Sequence, residues 1–338
     1  MSMTGTPGVT VVILTYNSAA TVGACLESLV QQTYKDFEVI VVDDDSVDDT
    51  IKVVSGYSSR LRISVTRNGS RVIPRGRNIG LAESGHTYVA FLDSDDVAEP
   101  GWTRTIVDAF AEHPGTACLF GSLLPAYRTS AAHAIALNDD AIRRLFGGHA
   151  SISAGNSAIN RAALPDAHFD EDFRFAEDLE LISRLGDQPR WQYLDEMKVR
   201  HFSRDTLSQY AKQMYRYGNM KQYFAYTTRS YRWIDFVPLV LILGGALASL
   251  ATWTWWPLLL ILPFSLLESL FVVVYQRCSP WVAVLTFPAW LVKNLAWSCG
   301  TVRGLITLGF DGKTRQMLRS KRSGRSQARK MTSHGSAL

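Results

Sequence analysis

The 338-residue chain has only four cysteines, Cys25, Cys118, Cys278 and Cys299, and no two stand in CxxC spacing. That excludes a thiol-based zinc site and a disulfide framework, and predicts reduced, partly buried thiols. No GxGxxG follows the first apolar run, which disfavours dinucleotide binding. The opening MSMTGTPG has neither a basic stretch nor an apolar core, so it does not read as an export leader, and the domain that follows is expected in the cytoplasm. Before Tyr231 there is no long hydrophobic run, only short alternating blocks. The net charge of +4 is small, and its positive excess gathers at the C-terminus, which suits a membrane surface and argues against nucleic acid as a partner.

What is present changes abruptly along the chain. From Phe236 to Tyr275 the sequence is almost continuously apolar, and 236–252 and 257–275 are each long enough to cross a hydrocarbon core of ~30 Å. Trp253-Thr254-Trp255-Trp256 lies between them, an aromatic cluster of the kind found at membrane borders. A transmembrane hairpin is expected. Segment 281–310 is apolar but contains Pro288, Lys293 and Arg303, so an interfacial or re-entrant course is expected there. Glu268, inside the second span, reads as a carboxyl paired with a neighbouring helix. Residues 311–338 form a basic tail, cytoplasmic by the positive-inside rule. Both ends on one side requires an even number of crossings.

Residues 1–230 read as one α/β domain. Val9–Leu14, Phe37–Val42, Leu61–Thr66 and Tyr88–Leu92 are β-branched apolar runs, and Ala19–Gln32, Asp48–Val54 and Arg77–Ser84 between them have helical spacing. Alternation of this kind predicts a Rossmann-like, mainly parallel sheet covered on both faces, with ligands bound beyond the carboxyl ends of the strands. Those ends are polar: TYNS, DDDS and DSDD. Thr116–Leu123 is a further strand, Ala176–Leu185 an amphipathic helix, and Arg204–Tyr226 a longer helix with aromatic and basic residues. Leu124–Ile152 carries no legible motif.

Asp93-Ser94-Asp95 puts two carboxylates at one strand end. Hard oxygen ligands hold Mg²⁺ or Mn²⁺, and such an ion offsets the charge of a nucleotide diphosphate. A lone DxD is common in turns. Here it is the last of four motifs in register, VVILTYNS, VVDDDSVDDT, RGRNIGLAESG and YVAFLDSDD, and together they resemble the family 2 glycosyltransferases of GT-A fold. The resemblance is close over roughly the first 125 residues and looser to about Gly218.

It implies that Thr15, Tyr16, Asn17 and Asp44 contact the nucleotide, that Arg77 supports it, and that Asp93 and Asp95 form the metal–diphosphate motif, with Asp95 the direct ligand. Asp45 stands where the family usually has glycine, and aspartate tolerates the left-handed backbone that glycine supplies. Phe175-Ala176-Glu177-Asp178 resembles the family's ED motif at a helix start, with Asp178 as general base. A sugar hydroxyl attacks only as its proton is accepted, so a carboxylate within reach is chemically required; the bland reading is that Glu177 and Asp178 complement the helix dipole. His201 resembles a histidine that closes the metal site in some relatives. Gln213, Arg216 and Tyr217 resemble an acceptor-side QxxRW motif with tyrosine for tryptophan.

The function so implied is inverting transfer of a sugar from a nucleotide-diphosphate sugar to a hydroxyl of a lipid-linked glycan or glycolipid, at the cytoplasmic face of the cell membrane. Two rivals stay open: a polyprenyl-phosphate glycosyltransferase, whose anionic acceptor needs no base, and a non-catalytic nucleotide-sugar-binding membrane subunit.

Overall fold

The computed structural model describes residues 8–146 (backbone only over 143–146), 152–174, 176–185, 190–277 and 279–321. They fall into two compact units, residues 1–126 with 143–202, and residues 127–142 with 203–338.

The first unit holds β1 (Val9–Thr15), α1 (Val22–Val30), β2 (Phe37–Asp43), α2 (Thr50–Ser55), β3 (Ile63–Arg67), α3 (Ile73–Glu83), β4 (Tyr88–Leu92), β5 (Asp96–Ala98), α4 (Trp102–Glu112), β6 (Cys118–Ala126), β7 (Asn156–Asn160), α6 (Glu177–Leu185) and β8 (Trp191–Phe202). The sheet has eight strands in the order β3-β2-β1-β4-β7-β6-β8-β5. β3, β2, β1 and β4 are mutually parallel, as the alternating pattern requires. Beyond β4 the sheet becomes mixed: β7 runs antiparallel to β4 and β6, and β5 antiparallel to β8. The sequence pattern missed β5 and β7 because the first has three residues and the second, NSAIN, is polar. Asn156 nevertheless belongs in the core. Its amide donates to the carbonyls of Ser122 and Met197 and accepts from the Trp102 indole, so no polar atom is left stranded.

Side chains alternate between the faces of the sheet. Val9, Val11, Ile13, Val39, Val41, Ala90 and Leu92 pack with α1 and α4 on one face. Val12, Ile40, Val42, Val89 and Phe91 pack with Leu81 of α3 and Leu181, Ile182 and Leu185 of α6 on the other. Helix α3 begins four residues before the expected Arg77, because Pro74 is well placed in a first turn. Gly80 lies so close to Val12 that a β-carbon there would collide with it. This lets α3 press onto β1 and carries Arg77, one turn earlier, over the carboxyl ends of the strands.

The second unit is helical: the first part of α5 (Ser130–Phe146), α7 (Leu207–Thr228), α8 (Val237–Thr252), α9 (Ile261–Gln276) and α10 (Trp281–Phe310). The segment read as motif-free is thus largely α5. Helix α7 starts at a capping box between Thr206 and Gln209. It runs beside α10, with Tyr210 and Met214 packed on Ala289. A methyl group at Gly218, Gly300 or Gly304 would meet the backbone carbonyls of Trp297, Tyr215 and Asn219 respectively, so the two backbones touch.

Three stretches among the described residues are long and apolar enough to cross a membrane: Trp233–Thr252, Trp256–Gln276 and Trp281–Phe310. The third is one 30-residue helix that continues through Pro288. Two of its polar residues, Lys293 and Asn294, meet α9. Lys293 stands 3.5 Å from Glu268 and 3.8 Å from the centre of the Trp290 ring, and Asn294 donates to Ser265 at 3.0 Å. Glu268 is therefore paired, as expected. At the turn between α8 and α9 Trp253 is 95% exposed, with Trp255 and Trp256 also outward. Of the basic tail, only residues up to Lys321 lie within the described part.

Candidate active site

The carboxyl ends of β1, β2 and β4 converge at the top of the first unit. Thr15 ends β1, but its hydroxyl is buried and donates to Asp43 at 2.8 Å, so of the expected turn only Tyr16 and Asn17 reach the surface. Asn17 takes a left-handed backbone (φ 49°) and accepts from Val47 N–H, tying the turn to the end of β2. Asp45 is left-handed too, at φ 60°, which bears out its standing in for glycine. Its carboxylate pairs with Arg67.

Asp44 accepts from the Arg71 backbone N–H at 2.8 Å and the Asn68 amide at 3.2 Å. The Arg71 guanidinium lies 4.5 Å from the centre of the Tyr16 ring, which is 44% exposed. Tyr16, Asp44, Asn68 and Arg71 are thus linked by contacts beside the end of β2. Asn68 and Arg71 went unnoticed in the sequence, where nothing marks the loop after β3.

Asp93 and Asp95 lie in the turn between β4 and β5, and Ser94 joins it to the first turn through a 3.0 Å contact with the Ser18 hydroxyl. The next residue, Asp96, is 1% exposed and faces His201 across the β5–β8 ladder, with 2.7 Å between Oδ1 and Nδ1. Burial pushes Asp96 up to about 7 against the pull of His201. Burial alone would depress the imidazole, but Asp96, with Asp95 and Asp93 beyond it, pushes it up to about 9. With Nδ1 committed to Asp96, Nε2 is the nitrogen left for another ligand.

Glu177 and Asp178 open α6, after Ala176 in a left-handed conformation at φ 68°; Phe175 lies outside the described residues. That conformation costs an alanine about 1–2 kcal/mol, and such strain is met where a site needs a particular chain direction. Glu177 is turned inward onto Arg77, Oε1 to NH1 at 2.6 Å, and burial pushes it up to about 7 against that cation. Asp178 is raised above the usual carboxylate range by burial, opposed by the N–H groups of Leu179 and Ala154 and by Arg77. Arg77 itself, expected on the nucleotide, lies beneath the site: it is 4% exposed and bridges Glu177 and Asp93.

Gln213, Arg216 and Tyr217 belong to the second unit. On α7, Gln213 donates to the Tyr217 hydroxyl at 3.1 Å, as residues four apart on one helix face do.

A family model described as "Glycosyl transferase family 2" matches residues 10–164, and one described as "Glycosyl transferase family group 2" matches residues 88–300. The chain belongs to glycosyltransferase family 2. This family 2 glycosyltransferase is 38% identical over 88 residues to the UDP-Glc:alpha-D-GlcNAc-diphosphoundecaprenol beta-1,3-glucosyltransferase WfaP of Escherichia coli, covering 26% of this chain and 35% of that one. It is 30% identical over 115 residues to the chondroitin synthase of Escherichia coli, covering 34% and 17%. The matches span 15–35% of the length of the first curated relatives. Among solved structures, the mannosyltransferase PcManGT of Pyrobaculum calidifontis, in complex with GDP-Man and Mn²⁺, superposes with a TM-score of 0.54 at 18% identity, over 91% of this chain and 89% of that one. The first unit of this family 2 glycosyltransferase has the GT-A fold.

A divalent ion fits the residues by chemistry. Asp93, Asp95 and His201 carry the carboxylate and imidazole donors that suit Mg²⁺ or Mn²⁺. Among the described residues no three acidic, histidine or cysteine side chains close around a common point.

Proposed function

We propose that the chain is an inverting glycosyltransferase, moving a sugar from a nucleotide-diphosphate sugar to a hydroxyl of a lipid-linked glycan or glycolipid at the cytoplasmic membrane face. The observation that carries this reading is that Asp178, the base candidate, opens α6 beside Glu177, which Arg77 ties directly to Asp93 of the diphosphate motif.

The nucleobase binds beside Tyr16, Asp44, Asn68 and Arg71. Asp95, Asp93 and His201 would hold Mg²⁺ or Mn²⁺, and when bound the ion would offset the charge gathering on the departing diphosphate. The acceptor oxygen attacks the anomeric carbon on the face opposite the diphosphate. A new C–O bond forms as the bond to the diphosphate breaks, the bonding pair leaves with the nucleoside diphosphate, and the hydroxyl proton passes to Asp178. Backside attack inverts the centre. The raised pKa of Asp178 makes it a stronger base than an exposed aspartate.

A lipid-linked acceptor is supported by the exposed apolar face of the helical hairpin, where Val240, Leu243, Leu247 and Leu250 all point outward. It is also in keeping with relatives named for transfer to GlcNAc-diphosphoundecaprenol. Gln213, Arg216 and Tyr217 of α7 would then serve the acceptor. Helix α7 carries Lys212, Arg216 and Lys221 and cannot enter hydrocarbon cheaply. With α8 and α9 as the two spans, the tail and the first unit share the cytoplasmic side.

Nucleotide release from a panel of nucleotide-sugars, by detergent-purified protein with native lipids and Mg²⁺ or Mn²⁺, tests the proposal. Metal-dependent release lost in Asp95→Ala and Asp178→Asn is the expected result. Release that survives Asp178→Asn would point to a phosphate acceptor, and donor binding without turnover on any acceptor would make the chain a non-catalytic subunit.

A further inference from the structure

We infer that Arg77 is a positioning residue that locks the diphosphate-side carboxylate Asp93 to the helix carrying the base, and that it makes no contact with the nucleotide. The inference rests on the reading of Asp178 as base given above.

The guanidinium is 4% exposed, and two of its N–H groups are committed, NH1 to Glu177 at 2.6 Å and NH2 to Asp93 at 3.3 Å. The rings of Phe91 and Phe169 pack on one side of it, with centres 5.8 and 5.7 Å away. Nε is buried and makes no hydrogen bond. Burying a charge between aromatic rings and two carboxylates carries a desolvation cost that seldom returns as stability. What such an arrangement does supply is fixed relative geometry.

A second link braces Asp93. In the turn before β7, the Gly155 carbonyl accepts from Asp93 N–H at 3.1 Å. A β-carbon at Gly155 would strike the Asp93 carboxylate, so the turn also sets where that side chain rests. Gly155, Asp93, Arg77 and Glu177 therefore form a continuous chain of contacts from the diphosphate motif to the start of α6. In-line displacement needs leaving group, anomeric carbon and base on one axis, and a misplacement of about 1 Å can cost about a hundredfold in rate. The chain of contacts ties the first of these to the third. Glu177 acquires a role as well: it is the anchor through which Arg77 grips α6, not a second base.

The test uses the full chain in detergent with Arg77→Met, Arg77→Lys, Glu177→Gln and Gly155→Ala. Three quantities are read: kcat, the dissociation constants of UDP and GDP with Mn²⁺ by calorimetry, and the melting temperature. Arg77→Met and Gly155→Ala should each lower kcat about a hundredfold while nucleotide affinity moves less than about threefold. Arg77→Lys should regain about tenfold of the loss, since an ammonium restores the charge but not the fork. Glu177→Gln should fall between. Nucleotide affinity dropping in step with kcat in Arg77→Met would overturn the inference and make Arg77 a nucleotide contact. Loss of the melting transition in Arg77→Lys and Gly155→Ala alike would overturn it too, leaving these contacts as core packing. Full turnover in Asp178→Asn would instead sink the base assignment on which the inference stands.

Discussion

His201 and Asp96 are 105 residues apart in sequence and partners twice over, through the β5–β8 ladder and through a 2.7 Å contact between imidazole and carboxylate. Asp96 fixes which nitrogen the ring presents. Replacing it with asparagine should weaken Mn²⁺ binding about 10–100-fold, read by electron paramagnetic resonance titration of purified protein without substrate. An unchanged affinity would remove His201 from the metal site.

Asp178→Asn should lower kcat by about 10²–10⁴ with donor affinity unchanged, because the amide keeps the shape and loses the basicity. Stopped turnover together with intact calorimetric binding of the nucleotide is the signature sought.

The pH profile follows from the raised pKa of the same residue. A base works only when deprotonated, so kcat/KM should fall as pH drops through that raised value, giving an acid limb above the ordinary aspartate range. Binding of nucleotide alone should lack this limb. If turnover held steady down to the ordinary aspartate value, Asp178 would not be the titrating base.

Ala176 sits left-handed at φ 68°. Glycine adopts that backbone freely, so Ala176→Gly should stabilise by up to about 1 kcal/mol, a rise of roughly 2–4 °C in melting temperature. A fall would mean that the chain entropy lost on ordering glycine outweighs the strain relieved.

The pair of Lys293 and Glu268 is half of a balance between two helices. Lys293→Met alone leaves a carboxylate without its counter-charge and should cost about 3–5 kcal/mol, seen as early aggregation on heating in detergent. Adding Glu268→Gln should restore most of it; additive losses in the double variant would mean the two charges do not interact.

The parallel half of the sheet was legible because β1, β2 and β4 are unbroken apolar runs, and the DSD and ED motifs were legible because each stands at the end of an element. The mixed half was not. β7 spells NSAIN, and only the three-dimensional partners of Asn156 explain amides inside a core. The pairing of Asp96 with His201 was not legible, since register between strands a hundred residues apart leaves no trace in spacing. The motif gave Arg77 a position on a helix, but its pairing with Glu177 and Asp93 is visible only in the fold. The continuity of α10 through Pro288, Lys293 and Arg303 depended on partners that hydropathy does not count.

The glycines between α7 and α10 set a limit on how this chain can vary. At Gly218, Gly300 and Gly304 the opposing atoms include backbone carbonyls, which have no rotamer to yield. In a saturation scan these positions should reject even alanine, although any hydropathy-based expectation would call that change harmless. Gly309 and Gly312, with open space around them, should accept almost anything. Drift along this stretch of chain is thus limited by size at three points as well as by charge at Lys293.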